Sequence, residues 1–250
     1  RTPNLDALAK RGMRFSNAYA AAPVCTPTRT SLLTGRTPGA TRITYWTKSK
    51  GQDTSAGHPT LRAPAWQLDG LDESAVTYPR LLADAGYRTI HAGKAHFGAK
   101  GTSGDDPLRL GFQVNIGGHA AGQPGSYLAR DNFTTSKRLG NPDASTYWDV
   151  PGLENWDGGD AYLTEALCAE ACLALDDAVR DGVPFCLNFA PYAVHTPLTA
   201  NARLLPHYEQ LQAREATYGT MIESVDNALG ALIAKLDELE VTDNTVILFT

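Results

Sequence analysis

The amino-acid sequence predicts an α/β fold with a mixed, mostly parallel central sheet flanked by helices. Along the chain, apolar residues alternate between the 3.6-residue period of helices and short strand-like runs, which is typical of layered α/β proteins. The 250 residues, 42% hydrophobic and 20% charged, are enough to bury one sizeable core. No internal repeat or composition shift marks a domain boundary, so we predict a single domain over 1–250.

Five helices are predicted, most of them with Thr or Pro at the start and Gly after the end. In chain order they span about 2–12, 26–33, 78–85, 160–181 and 213–239. Short apolar runs predict strands or extended segments at 13–20, 87–91, 185–190 and 245–250. The stretches 36–75 and 98–158 are polar and rich in Gly and Pro, and long loops of this kind tend to form binding surfaces.

The net charge of −5 at pH 7 argues against binding to nucleic acids, because a phosphate-binding surface normally needs a basic face. An anionic substrate must therefore be held by a local group of cations. No apolar run approaches the roughly 18–20 residues that cross a bilayer. The chain begins with Arg1 and stops at Thr250, directly after a strand-like run, so we expect an internal piece of a longer protein.

Cys25 lies just before the helix predicted over 26–33, whose first turn contains Pro27. The N–H groups and the positive dipole end of that helix stabilise an anionic nucleophile or a bound anion. Arg29 follows four residues later, so one helical turn brings its guanidinium back to the same end. This combination suits chemistry on a tetrahedral oxyanion. A buried structural cysteine is the alternative, and a cysteine before a helix would by itself favour it.

The segment from Cys25 to Arg36 reads Cys-Thr-Pro-Thr-Arg-Thr-Ser-Leu-Leu-Thr-Gly-Arg and resembles the signature of the type I, formylglycine-dependent sulfatases of the alkaline phosphatase superfamily. The run from Thr2 to Tyr19 resembles the lead-in of the same family. The resemblance implies that Cys25 is converted after translation to formylglycine, which acts as nucleophile and metal ligand. It further implies an alkaline-phosphatase-like fold and the hydrolysis of sulfate esters.

Two segments downstream resemble further elements of this family. The run Ala-Gly-Lys-Ala-His-Phe-Gly at 92–98 is similar to its Gly-Lys-x-His-x-Gly element, which implies that Lys94 and His96 bind the sulfate. The strand at 185–190 and the following His195-Thr-Pro resemble its His-x-Pro turn. The resemblance implies that His195 contacts the sulfate or the leaving oxygen.

His119 and Ser126 fall in a segment that resembles a pocket-lining part of carbohydrate-directed family members, and we predict that both bind substrate. The remaining histidines, His58, His91 and His207, are predicted to be structural or exposed. Together with the long polar loops, this resemblance favours a sulfated carbohydrate over a steroid or a simple aryl ester.

The resemblance also implies a calcium ion, with Mg²⁺ as the alternative. In family members an Asp-Asp pair precedes the first helix and an Asp-Asn pair follows a strand like 245–250, and these four residues bind the metal. All of them would lie outside this sequence, leaving Cys25, as formylglycine, as a metal ligand within it. We therefore expect a truncated N-terminal catalytic domain that lacks the N-terminal strand and the C-terminal part and is inactive, or nearly so, as a fragment.

In the implied mechanism, a hydroxyl of hydrated formylglycine attacks the sulfur while Lys94 and His195 hold the sulfate oxygens. His195 is the candidate general acid, and His96 the candidate base for sulfate release.

Two alternatives stay open: a related phosphodiesterase or phosphonate hydrolase, since phosphate and sulfate esters share size and shape, and a non-catalytic sulfatase-like binding protein. The implied partners are a sulfated small molecule or carbohydrate and the formylglycine-generating enzyme. The implied location is periplasmic, extracellular or lysosome-like.

Overall fold

A three-stranded parallel sheet forms the centre of one of two compact units in the computed structural model, which describes residues 1–57, 59–61 and 63–250. Its strands are β1 (Arg88–Gly93), β2 (Val114–Ile116) and β3 (Phe185–Ala190), and β1 lies between the other two. β1 and β3 pair along their whole length. Because all three strands run parallel, their carboxyl ends meet at one edge, where α/β proteins usually bind ligands.

Seven α-helices form in the described part of the chain, and short 3₁₀ turns lie between several of them. They are α1 (Pro3–Arg11), α2 (Cys25–Thr34), α3 (Pro38–Thr41), α4 (Tyr78–Asp84), α5 (Thr135–Leu139), α6 (Leu163–Arg180) and α7 (Ala213–Glu238). None of these helices combines the length and apolar character needed to cross a membrane.

The first unit, here called the sheet unit, comprises 19–122 and 180–190 and contains the three strands with α2, α3 and α4. Thr77 begins α4 by accepting a hydrogen bond from the amide of Arg80, and its hydroxyl donates to the carbonyl of Leu110 at 2.5 Å. Seven buried apolar side chains of the unit pack into one cluster. Its members are Leu33, Ile43, Leu71, Ala95, Phe97, Leu110 and Phe112. This cluster fixes the segment that follows β1, because Ala95 and Phe97 belong to it.

The second unit, here called the helical unit, comprises 1–18, 123–179 and 191–250. Its helix α1 packs against α7, and the carboxylate of Asp226 caps the start of α1. Asp226 accepts hydrogen bonds from the amides of Asn4, at 3.1 Å, and Leu5, at 2.8 Å, and from the Asn4 side chain at 2.9 Å. A buried carboxylate from α7 thus satisfies N–H groups that α1 cannot satisfy itself.

The structure confirms the α/β class and the five predicted helices, with helix ends within three residues of the predicted ones. One local prediction was wrong: Cys25 is the first residue of α2 and does not precede the helix. The predicted strands at 87–91 and 185–190 are β1 and β3, although β3 is half-buried and not fully buried. The single domain over 1–250 stays a prediction, and His58 lies outside the described residues.

The strand predicted at 245–250 was wrong, since this stretch is not assigned as a strand in the described chain. The stretch 13–20, predicted as a strand or an extended segment, is not a strand and contains a turn at 16–17. Most apolar side chains of both stretches are exposed, including Phe15 at 72% and Leu248 at 83%. A strand is stable only when its backbone pairs with a neighbour. Their β-branched and aromatic residues favour a strand. Neither stretch pairs with another strand within the described residues, so no strand forms there.

Replacing Asp226 with Ala tests the cap on α1. We expect the D226A protein to lose about 2 kcal/mol of unfolding free energy, because buried N–H groups lose a charged acceptor. Urea denaturation followed by circular dichroism measures this loss. The exposed Glu215 in the first turn of α7 gives the matched control, and E215A should change stability by no more than about 0.5 kcal/mol. Equal losses of unfolding free energy in D226A and E215A would contradict the capping role of Asp226.

Candidate active site

Lys94 follows the carboxyl end of β1 and is almost fully buried, with 4% of its surface exposed. Its backbone is held on both sides, since its amide donates to the carbonyl of Ala190 on β3 at 2.7 Å and its carbonyl accepts from Nη1 of Arg29 at 2.6 Å. Gly93 turns the chain at this point with a φ of +104°, a conformation that favours glycine. The sheet edge thus places a lysine ammonium inside the sheet unit.

Helix α2 brings Cys25 and Arg29 to the same place. Cys25 is the first helical residue and half-buried, so its side chain lies at the positive end of the helix, where backbone N–H groups have no intrahelical acceptor. The guanidinium of Arg29, one turn later, reaches the backbone of Lys94. The structure therefore brings together the cysteine, the arginine and the lysine that the sequence singled out.

Burial lowers the pKa of Lys94 from 10.5 to about 8. The positive charge of Arg29 contributes to this lowering of the pKa, and a negative charge on Cys25 opposes it. A buried ammonium beside a guanidinium is unfavourable until a negative charge arrives between them. The electrostatics of this group therefore favour binding of an anion.

His96 lies two residues beyond Lys94 and is 2% exposed. Its Nε2 is 2.8 Å from the carbonyl oxygen of Thr47, and because a carbonyl only accepts, Nε2 carries a proton. Thr47 in turn donates its amide to Oγ1 of Thr26, the neighbour of Cys25, at 3.1 Å. The chain of contacts from Thr26 through Thr47 to His96 fixes the histidine relative to the start of α2.

His119 belongs to the same unit, and its carbonyl accepts the backbone amide of His96 at 3.0 Å. Its side chain lines a cavity of about 570 Å³ together with Asp105, Asp106, Arg109 and Asn115 among others. A cavity with several hydroxyl-, amide- and charge-bearing side chains suits a polar ligand. Cys25, Arg29 and Lys94 are not among the residues that line this cavity, so the substrate-binding role of His119 stays a prediction.

His195 and Ser126 belong to the helical unit. His195 is exposed, with Nδ1 at 3.1 Å from the carbonyl of Thr196. The carbonyl of His195 accepts the hydroxyl of buried Tyr127 at 2.9 Å, which holds its loop. Ser126 is fully buried, donating to Asp131 at 2.6 Å and accepting the amide of Leu128 at 3.1 Å. These contacts fix a turn and do not support the predicted substrate-binding role of Ser126.

Sequence reasoning missed Thr47 and Gly122, which hold His96 in place. A Cβ atom on Gly122 would lie 2.6 Å from both Cε1 and Nδ1 of the His96 ring, so only glycine fits there. Thr47 lies in the polar stretch 36–75 without a motif that distinguishes it. Gly122 belongs to a glycine-rich segment, and that composition is the signal that backbone approaches a side chain closely there.

A metal ion requires several ligands, and among residues 1–57, 59–61 and 63–250 no group of three or more His, Cys, Asp or Glu side chains could hold one. The described residues therefore do not form a complete metal site.

The fold and these contacts define an α/β protein in which a cysteine, an arginine and a buried lysine meet at the N-terminus of a helix. The sequence profile of the sulfatase family matches residues 1–250, and the chain belongs to that family. It is 30% identical to human N-acetylgalactosamine-6-sulfatase over all of this chain and 44% of that protein. It is 28% identical to bovine arylsulfatase A over all of this chain and 46% of that protein. The chain thus spans less than half the length of these relatives.

Solved structures agree with this assignment. The crystal structure of Ps i-CgsB superposes with a TM-score of 0.75 at 29% identity, covering 98% of this chain and 51% of that one. The structure of Ps i-CgsB in complex with k-i-k-neocarrahexaose superposes with a TM-score of 0.74 at 27% identity and the same coverage. The family resemblance of the segment from Cys25 to Arg36 is thereby confirmed, and so is the α/β fold.

Replacing Gly122 with Ala tests the placement of His96. The added methyl group must displace the buried ring, and we expect kcat/KM of the full-length protein for 4-nitrophenyl sulfate to fall by about tenfold or more. The matched control is G39A, because a Cβ atom on Gly39 would meet only the Thr37 hydroxyl, at 3.9 Å. Wild-type activity in the G122A protein, or an equal loss in both variants, would contradict this role of Gly122.

Proposed function

We propose that the protein hydrolyses sulfate esters, with residue 25 as the nucleophile. The observation that carries the proposal is the convergence of Cys25, Arg29 and buried Lys94 at the N-terminus of α2. Two cationic side chains and a helix N-terminus match the charge on the oxygens of a sulfate ester. Family membership supports the same chemistry.

The position of Cys25 suits a formylglycine nucleophile, since residue 25 begins a helix and is half-buried. Formylglycine, when hydrated, supplies a hydroxyl nucleophile. Arg29 and Lys94 orient the sulfate group, with the Lys94 ammonium neutralising charge on its oxygens. This arrangement lowers the repulsion between an anionic ester and an oxygen nucleophile.

The hydrogen bonds of the two histidines restrict how they could move protons. Since Nε2 of His96 donates to Thr47, any proton accepted by His96 during sulfate release would go to Nδ1. Nδ1 of His195 faces the carbonyl of Thr196, so a proton given to the leaving oxygen would come from Nε2. We keep His195 as the candidate general acid and His96 as the candidate base.

We propose a sulfated carbohydrate as the substrate. Support comes from similarity to an N-acetylgalactosamine-6-sulfatase and to a protein solved with k-i-k-neocarrahexaose. Calcium, with Mg²⁺ as the alternative, stays a prediction from the family. So do maturation by the formylglycine-generating enzyme, an exported location and a catalytic domain that continues outside this sequence.

Mass spectrometry of the peptide that contains Cys25 tests the nucleophile. We expect the purified full-length protein, co-expressed with a formylglycine-generating enzyme, to carry the mass deficit of a thiol replaced by an aldehyde. C25A should abolish turnover of 4-nitrophenyl sulfate, while C186A, which changes a half-buried cysteine on β3, should leave it nearly unchanged.

Two outcomes would overturn the sulfatase proposal. Faster turnover of 4-nitrophenyl phosphate or of a phosphonate ester than of the sulfate would favour a phosphodiesterase or phosphonate hydrolase. An unmodified thiol together with binding but no turnover would favour a non-catalytic sulfatase-like binding protein.

The lowered pKa of Lys94 predicts how anion binding depends on pH. The ammonium is charged below its pKa of about 8 and loses its proton above it, so the affinity for inorganic sulfate should fall as the pH rises. We expect Kd to increase about tenfold from pH 7 to pH 9, because roughly nine-tenths of the charge is lost over that range. Isothermal titration calorimetry measures it. The K94M protein should bind weakly at both pH values, and an unchanged wild-type Kd would refute this role for Lys94.

A further inference from the structure

His91, in the middle of β1, is fully buried and makes two hydrogen bonds through its ring. Its Nε2 lies 2.9 Å from the carbonyl oxygen of Gly93, two residues further along the chain. Its Nδ1 lies 3.0 Å from the side-chain Nδ2 of Asn188, its partner in the register of β3. The ring therefore bridges the neighbouring strand and the peptide that precedes Lys94.

These two partners select one form of the ring. The carbonyl of Gly93 can only accept, so Nε2 carries a proton, whereas the amide nitrogen of Asn188 can only donate, so Nδ1 accepts. Burial lowers the pKa of His91 to about 3, and Arg29 contributes in the same direction. The ring is accordingly neutral at physiological pH, with its single proton directed at Gly93.

The ring has little freedom to move. A Cβ atom on Gly118 would lie 2.5 Å from Cδ2 of His91, so the backbone at Gly118 lies directly against the imidazole. Phe97 and Phe112 flank the ring at centroid distances of 5.5 Å and 5.1 Å. The imidazole is thus enclosed by packing, and its hydrogen bond to Gly93 is held in one direction.

We propose that His91 is a positioning residue for Lys94, acting through the carbonyl of Gly93; this inference rests on the proposed function. Gly93 adopts a φ of +104° and turns the chain away from β1, and Lys94 follows at once. The amide and carbonyl of Lys94 are held by Ala190 and Arg29. The contact from His91 fixes the preceding carbonyl, so three consecutive backbone groups are restrained and the ammonium is directed into the anion site.

Two amide substitutions separate this role from simple packing. The Gln in H91Q places an amide nitrogen near the position of Nε2 and can still donate to Gly93. The Asn in H91N places an amide oxygen near the position of Nδ1 and keeps only the contact with Asn188. Both variants remove the imidazole ring from the same buried site, so each is the other's control for lost packing.

The test measures three quantities on the full-length protein: the midpoint of thermal unfolding, kcat/KM for 4-nitrophenyl sulfate, and Kd for inorganic sulfate. We expect similar losses of thermal stability in both variants. In H91N, kcat/KM should fall by about 100-fold, since displacing a catalytic group by about 1 Å costs that much. In H91Q it should stay within about fivefold of wild type, and sulfate affinity should follow the same order.

Equal losses of activity and of sulfate affinity in H91Q and H91N would overturn the inference while leaving the proposed function intact. A wild-type protein that does not hydrolyse the sulfate ester would contradict the proposed function, and the order of the sulfate Kd values would still decide the role of His91. Nitrogen NMR of histidine-labelled protein gives an independent check. It should show a neutral His91 ring protonated at Nε2, and a ring protonated at Nδ1 would refute the geometry.

Discussion

The hydrogen bond from Arg29 to the carbonyl of Lys94 is the contact on which the candidate site depends. It joins the first turns of α2 to the end of β1, so that helix and strand position their functional side chains against each other. Arg29 is fully charged at any physiological pH, and its bond to a carbonyl is shorter and stronger than a bond between neutral groups. The bond thereby holds Cys25 and Lys94, which belong to separate elements, at the same place.

This arrangement has an electrostatic cost. Lys94 is buried beside a second cation, Arg29. Burial and the charge of Arg29 both make the charged ammonium unfavourable, and its pKa is lowered for that reason. The surrounding structure must therefore hold Lys94 there, which explains why hydrogen bonds restrain its amide, its carbonyl and the carbonyl before it. A bound anion relieves the repulsion, so the same feature that costs stability in the free protein favours ligand binding.

Periodicity in the sequence was sufficient to predict the α/β class and the long helices, and helical spacing placed Arg29 near Cys25. That Lys94 and His96 belong with them was implied by the family resemblance of their segment. The strand predicted at 245–250 is not observed. Its apolar composition favours a strand, but a strand also needs a neighbouring strand to pair with, and composition does not reveal whether one is present. The contacts made by Thr47 were also beyond prediction. They join residues separated by 21 and 49 positions, which only the tertiary fold brings together.

Thr26, within the cysteine segment, also contributes to the site. Thr26, directly after Cys25, is fully buried, and its hydroxyl oxygen accepts the amide of Thr47, whose carbonyl in turn accepts Nε2 of His96. His96 itself has a φ of +54°, a left-handed conformation that costs a non-glycine residue about 1–3 kcal/mol. The bond to Thr47, together with close packing by Gly122, holds the histidine in that conformation. A threonine that has no part in the chemistry thereby links the proposed nucleophile to the proposed base.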